Sequence, residues 1–297
     1  ASLYGGVFTQ DTIGTSVNQN GLALESDGGL AGADVGDYDI SVSGLESPNG
    51  YDISYETGNL TINRRAITLK ASDQEKIYGD VLELDDTAFT TLDMDGDSVL
   101  PNSEVITNVS IASATDKDSS TDADVGTYTD EIQILSPVTG TDGDGDGFRE
   151  SNYDISYETG NLTINRRAIT LKASDQEKIY GNGLDLGSTK FTVKDLDGGD
   201  LPNGELIDTV SLVSADGVDA STDADVGTYS DNISIAETSA DNQTLTGSKG
   251  FDQENYDISY ETGNLTINRR AITLKEVIRK RSTGMVWIWV AQNSPLR

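Results

Sequence analysis

The sequence predicts an all-β protein: a tandem array of small, sandwich-like β domains set end to end as a rod. Three observations predict it. Residues 51–79 recur letter for letter at 153–181, and the first part of the same string returns at 256–275, the mark of a repeat architecture. Within each copy apolar and polar residues alternate, the period of a half-buried strand. Turns rich in Gly, Asp and Asn separate these stretches, and no segment shows a helical period over about ten residues.

Tyr51, Tyr153 and Tyr256 are 102 and 103 residues apart, the size of one small domain. Shorter strings keep this register. Tyr78-Gly79 returns as Tyr180-Gly181, with Tyr4-Gly5 as an earlier copy, and Asp124-Val-Gly-Thr-Tyr128 returns as Asp225-Val-Gly-Thr-Tyr229. The expected layout is a shortened repeat at 1–63, full repeats at 64–165 and 166–268, the first strand of a fourth at 269–275, and a non-repeat tail at 276–297.

Each element has a local reason. In YDISYE, Tyr51, Ile53 and Tyr55 face one way and Asp52 and Ser54 the other. Thr57-Gly58-Asn59 supplies turn chemistry, because Gly and Asn tolerate positive φ, and Leu60 and Ile62 then close a hairpin. Ile67, Leu69 and Ala71 form another apolar face opposite Thr68 and Lys70. Val105, Thr107, Val109 and Ile111 form a further one, and Tyr128, Ile132 and Ile134 mark a later strand. About six strands per repeat suit a sandwich-like unit. Between repeats, Thr61-Ile-Asn-Arg-Arg-Ala-Ile-Thr68 holds no Gly, Pro or Ser, so a stiff joint is expected rather than a flexible linker. Arg64-Arg65, Arg166-Arg167 and Arg269-Arg270 sit at these joints, either solvated or paired with carboxylates of the adjacent repeat.

The order Ala-Ile-Thr-Leu-Lys, Lys-Ile-Tyr-Gly, Val-Gly-Thr-Tyr, Asn-Tyr-Asp-Ile and Gly-Asn-Leu-Thr-Ile resembles the MBG-type repeat of large bacterial cell-surface adhesins. The resemblance spans nearly all of 1–275 and implies a secreted or surface-displayed stalk, extracellular and without catalysis. Two departures stand out: the first repeat has Gly50-Tyr51 in place of Asn-Tyr and lacks the opening strand, and the tail matches nothing in that pattern.

Composition narrows the chemistry. The 297 residues hold 51 acidic against 20 basic side chains, a formal charge of −31, which repels nucleic acid and anionic membranes. Cysteine and histidine are absent, so disulfides, thiolate metal sites, imidazole bases and cysteine nucleophiles are excluded. No apolar run approaches the roughly 20 residues of a membrane span, and ASLYGG lacks the n- and h-regions of a signal peptide. Carboxylate pairs abound, but none is distinguished by spacing and no Gly-x-Ser-x-Gly elbow accompanies them, so no enzyme is expected. Lys70 and Lys172 lie on the polar side of their strands, against a self-formed isopeptide.

Calcium is the cofactor that the loops suggest. Asp142, Asp144 and Asp146, each followed by Gly, match the start of a calcium loop, in which alternate carboxylates converge on one hard cation. Glu150 completes that candidate set. Asp93, Asp95 and Asp97, and Asp195, Asp197 and Asp200, are related candidates; the competing reading of all three is a solvated acidic turn. In the loop from Asp142 the EF-hand's bidentate Glu falls at Tyr153 and no helices flank it, so that loop is not an EF-hand.

The tail from Glu276 carries one acid, four bases and both tryptophans of the chain. It reads as a vector-derived or frame-shifted segment, a terminal anchor, or an assembly strand. Two function classes follow. One is a passive, calcium-stiffened spacer that holds an adhesive module away from a cell. The other is a filament subunit, in which Ala271, Ile272, Thr273, Leu274 and Lys275 of one copy complete the first domain of the next. Partners are thus neighbouring repeats or copies of the chain itself.

Overall fold

A computed structural model describes residues 20–47, 50–93, 96, 100–141, 147–195, 198–236, 245–281 and 284–292. Their regular structure is strands, broken only by short 3-10 turns, so the all-β expectation holds. The chain divides into two compact units. Residues 1–75, 82–118 and 127–163 make the first, and 76–81, 119–126 and 164–297 the second.

In the second unit, Arg167–Ala173 is the centre of a three-stranded sheet. Phe191–Asp195 pairs antiparallel on one side and Tyr256–Glu261 parallel on the other. A second sheet runs in the order Gln176–Ile179, Gly263–Asn268, Gly227–Ile235, Leu212–Ser214. Leu171 and Ala173 from the first sheet meet Ile233, Ile235 and Leu265 from the second, with Leu186, Val210 and Leu245 closing the core. Leu171, Ile233 and Leu265 have no exposed surface, and each such side chain contributes about 1.5–3 kcal/mol. The alternation in the sequence is what puts them on one face.

The first unit repeats this plan. Arg65–Ala71 lies between antiparallel Phe89–Asp93 and parallel Tyr153–Glu158, with Ile67 and Leu69 buried. A four-stranded sheet runs Gln74–Ile77, Gly160–Asn165, Gly126–Thr141, Val105–Ser113. A separate three-stranded sheet holds Ala23–Glu25, Gly36–Ser43 and Gly58–Ile62.

Three expectations need correction. The Tyr-Asp-Ile-Ser-Tyr-Glu and Gly-Asn-Leu-Thr-Ile segments do not form a hairpin. Tyr153–Glu158 and Gly160–Asn165 belong to different sheets, because each pairs with a strand from the opening of its repeat. The chain steps between sheets at Thr159, and glycine is required next: a Cβ at Gly160 would lie 2.6 Å from the Ser72 carbonyl oxygen. The Asn161 amide, donating to Asp73 Oδ1 at 2.8 Å, secures the step. Second, the apolar face assigned to 105–111 splits. Register shifts around Asn108 leave Val105 exposed and bury Ile106 and Val109, since a bulge turns the following residues over. Third, residues 51–57 form no strand, although the same letters form one at 153–158.

The repeated Asp-Val-Gly-x-Tyr string closes a loop ahead of a strand. Tyr38 donates its hydroxyl to the Asp34 carbonyl at 2.8 Å, and Tyr229 to that of Asp225 at 3.0 Å.

Candidate functional site

The polar chemistry of the molecule collects around the motifs that recur from repeat to repeat. In the second unit, Tyr78 follows the end of the Gln74–Ile77 strand, and its amide donates to the Asn165 carbonyl at 2.9 Å. Gly79 has φ +90°, and a Cβ there would lie 2.5 Å from Pro202; only glycine fits. The Tyr78 hydroxyl donates to Glu205 Oε1 at 2.5 Å, and the Tyr256 hydroxyl to Oε2 at 2.6 Å. The two rings meet edge to face, 5.5 Å apart. Glu205 is buried, and the two hydroxyls occupy both carboxylate oxygens. Burial, then the hydrogen bond to Glu205, pushes the Tyr78 hydroxyl up to about 12, and the same causes push Tyr256 up further.

Beside this triad, Arg167 donates through Nε and Nη2 to Asp195 Oδ2 at 3.2 and 3.0 Å. Its Nη1 donates to Asp80 Oδ1 at 2.8 Å and to the Tyr78 carbonyl at 3.1 Å. Burial works against the Arg167 charge, but Asp80 and Asp195 more than offset it, so its affinity for the proton rises. Asn255 Oδ1 accepts from the Val125 amide at 2.9 Å while its Nδ2 donates to Asp124 Oδ1 at 3.1 Å. Asn203 Nδ2 donates to the Thr121 carbonyl at 2.9 Å.

Related pairings appear in the first unit. Asn152 Oδ1 accepts from the Val35 amide at 3.0 Å and its Nδ2 donates to Asp34 Oδ1 at 2.9 Å, as Asn255 does with Asp124-Val125. The hydrogen bonds from Asn152 and Arg149 hold the Asp34 carboxyl below its usual value. The Tyr153 hydroxyl donates to the buried Glu104, and Arg65 donates to the buried Asp93. Phe148 stacks on Tyr153 and Phe251 on Tyr256, at 5.1 and 5.2 Å. Of the joint arginines, Arg65 and Arg167 thus pair with buried carboxylates of their own sequence copies, Asp93 and Asp195, and Arg167 also pairs with Asp80 of the preceding copy.

The candidate calcium ligands divide. Asp142, Asp144, Asp146, Asp95, Asp97 and Asp197 lie outside the described residues. Asp93 and Asp195 face arginines, and Asp195 Oδ1 also accepts from the Gly199 amide at 3.2 Å. Glu150 and Asp200 are exposed. Among the described residues no group of three or more carboxylates could hold a metal ion. The candidate assembly strand is found in a hairpin: Thr273, Leu274 and Lys275 sit opposite Gln292, Ala291 and Val290. Ala271 and Ile272 precede it, and Ile272 and Leu274 are exposed.

Sequence reading missed the Tyr–Glu–Tyr triad, although a signal was present: Glu104 and Glu205 stand at the same place after Leu-Pro-Asn in the two copies. It also missed the buried lysines. Lys178 Nζ donates to the carbonyls of Asp219 at 3.0 Å and Ser221 at 2.6 Å, and Lys76 Nζ to that of Ser120 at 2.5 Å. Lys172 is exposed and pairs with Glu261 at 3.3 Å, in keeping with its place on the polar side of the strand. No helix among the described residues is long and apolar enough to cross a membrane.

No family model matches the chain, and no curated protein matches it. One solved structure with which it aligns, described as the Bacillus anthracis TIE protein, is 13% identical with a TM-score of 0.16. The alignment covers 80% of this chain and 42% of that one, so this chain spans less than half of its length. A likeness of that size carries no argument.

Proposed function

We propose that the chain is a run of structural stalk or spacer repeats from a secreted or cell-surface adhesin, with joints built for stiffness. The observation that carries this reading is the cluster around Arg167. Asp80 and Tyr78 come from the sequence copy that begins at Arg64, and Asp195, Glu205 and Tyr256 from the copy that begins at Arg166. Arg167 holds members of both copies with one guanidinium, and Glu205 holds tyrosines of both with one carboxylate. A hydrogen-bonded network of this kind, buried at Tyr78, Glu205 and Tyr256 and open to solvent at Asp80, resists bending better than a solvated linker. Every group in it is already satisfied by another protein group, which suits a structural role rather than catalysis.

Calcium in the Asp-rich loops would relieve the self-repulsion of a chain at −31. A second reading, a filament subunit completed by exchange of residues 271–275, draws its support from the exposure of Ile272 and Leu274. Small-angle scattering of the full chain tests the stalk and filament ideas, and thermal unfolding tests calcium. The stalk reading expects an elongated particle that becomes flexible when Asn63-Arg64-Arg65 is replaced by a Gly/Ser stretch; a native chain that already scatters as flexible beads refutes it. Calcium should raise the melting temperature more than sodium does at matched ionic strength, and equal effects leave only screening. The filament reading requires end-to-end oligomers at high concentration, so a persistent monomer ends it.

A further inference from the structure

We infer that Asn182 is a self-modification site, at which the side-chain amide is converted to a carboxylate with Arg270 as the activating group. The sequence copies show the difference. Tyr78-Gly79-Asp80 meets Arg167, whereas Tyr180-Gly181-Asn182 meets Arg270. Arg270 donates through Nε to the Tyr180 carbonyl at 2.9 Å and through Nη2 to Asn182 Oδ1. An arginine only donates, so the atom it meets is the amide oxygen. The residue after Asn182 is Gly183, with no side chain to screen its backbone nitrogen. No hydrogen bond occupies the Gly183 amide among the described residues. Asn182 and Gly183 are exposed, so water reaches both.

These parts suit one reaction. The Gly183 amide gives its proton to solvent base, and its nitrogen attacks Asn182 Cγ. The developing negative charge falls on Oδ1, where the Arg270 guanidinium stabilises it. The bond from Cγ to Nδ2 then breaks, and ammonia leaves with a proton taken from water. Hydrolysis of the resulting cyclic imide adds one water and opens it to aspartate or its backbone isomer. The net change is amide plus water to carboxylate plus ammonium, with no oxidant or cofactor. The aspartate product would face Arg270 as Asp80 faces Arg167, turning a contact between a cation and a neutral amide into an ion pair. This inference does not depend on the stalk reading.

Asn203-Gly204 provides an internal control. It is the same dipeptide, and its Nδ2 donates to the Thr121 carbonyl, with no arginine among its hydrogen-bond partners in the described residues. The purified full chain is incubated in warm, mildly alkaline buffer, and peptide mapping by mass spectrometry follows both asparagines. Asn182 should convert faster than Asn203 by on the order of tenfold, a fraction of what an enclosed oxyanion donor supplies, because the site is open to water. Arg270→Gln should slow Asn182 by on the order of tenfold, while Asn203 stays unchanged. Arg270→Lys, which keeps the charge, should retain part of the advantage. Equal or slower conversion at Asn182 in the native chain overturns the inference, as does an unchanged rate in R270Q.

Discussion

Residues 51–62 and 153–164 carry the same twelve letters, yet only their second halves, Gly58–Ile62 and Gly160–Asn165, are strands in both copies. Tyr153–Glu158 is a strand, paired in parallel with Arg65–Lys70 along its length. In the earlier copy, 51–57 is not a strand, and two of its hydrogen bonds are local: the Tyr51 amide reaches Ser47 Oγ at 2.9 Å, and the Tyr55 hydroxyl accepts from the Leu45 amide at 3.0 Å. Downstream, Leu162 and Ile164 are fully buried while Leu60 and Ile62 are half-buried. What differs is the neighbour. Among the described residues, no strand pairs with 51–56, as Arg65–Ala71 pairs with Tyr153–Glu158. The reverse comparison agrees: Ile67 and Leu69 are 2% and 0% exposed, and their equivalents Ile272 and Leu274 are 66% and 50%. A strand in this protein is a property of the pair, since its backbone groups and its apolar face both need a partner.

The strongest way to break this comparison is to make the same substitution in both copies. Leu162→Ala should cost about 2–5 kcal/mol, the range for emptying a fully buried leucine site. Leu60→Ala should cost about 1 kcal/mol or less, because its side chain is only half-buried. Urea unfolding reads both, and equal losses would mean that the copies are equally packed.

A sharper test uses the glycine where the chain changes sheets. An alanine Cβ at Gly160 would sit 2.6 Å from the Ser72 carbonyl oxygen, but at Gly58 the nearest atom is Ile40 Cβ at 3.5 Å. Gly160→Ala should therefore cost about 1–3 kcal/mol by overpacking, while Gly58→Ala should stay within about 0.5 kcal/mol. Comparable effects at the two sites would remove the close approach as the reason for glycine.

The smallest effect concerns pH. A tyrosine raised from the unfolded value near 10 to about 12 keeps its proton in the folded chain after the unfolded chain has lost it. Its contribution to stability is full below pH of about 10 and is lost as pH rises towards about 12. The melting temperature should fall across that window, and Tyr78→Phe should flatten the fall only in part, because Tyr153 and Tyr256 are also shifted upward. A slope that Tyr78→Phe leaves unaltered would remove this hydroxyl from the account.

Much of the site could be read from the letters, but not its organisation. The recurrence of Tyr-Gly, Asp-Val-Gly, Leu-Pro-Asn-x-Glu and Arg-Arg at a fixed spacing marks the residues that meet around Arg167 and Glu205. That a tyrosine from one copy and a tyrosine from the next share one carboxylate could not be read, because Tyr78 and Glu205 are 127 residues apart. The predicted hairpin failed for a related reason: local turn chemistry at Thr-Gly-Asn favoured a reversal, and parallel pairing with a distant strand outweighed it.

The sequence by itself determined which residues can lie in strands and, for Arg65–Ala71 and its copy Arg167–Ala173, which face is apolar. It also set the repeat register, the absence of thiol and imidazole chemistry, and the acidic balance, because all of these are properties of composition and short-range spacing. Only the tertiary structure decided which strand pairs with which and which glycine is pressed against a carbonyl. It alone decided whether Tyr-Asp-Ile-Ser-Tyr-Glu becomes a strand at all. The physical reason is distance along the chain: Thr68 and Ser156, whose hydroxyls lie 2.9 Å apart across two neighbouring strands, are separated by 88 residues of sequence.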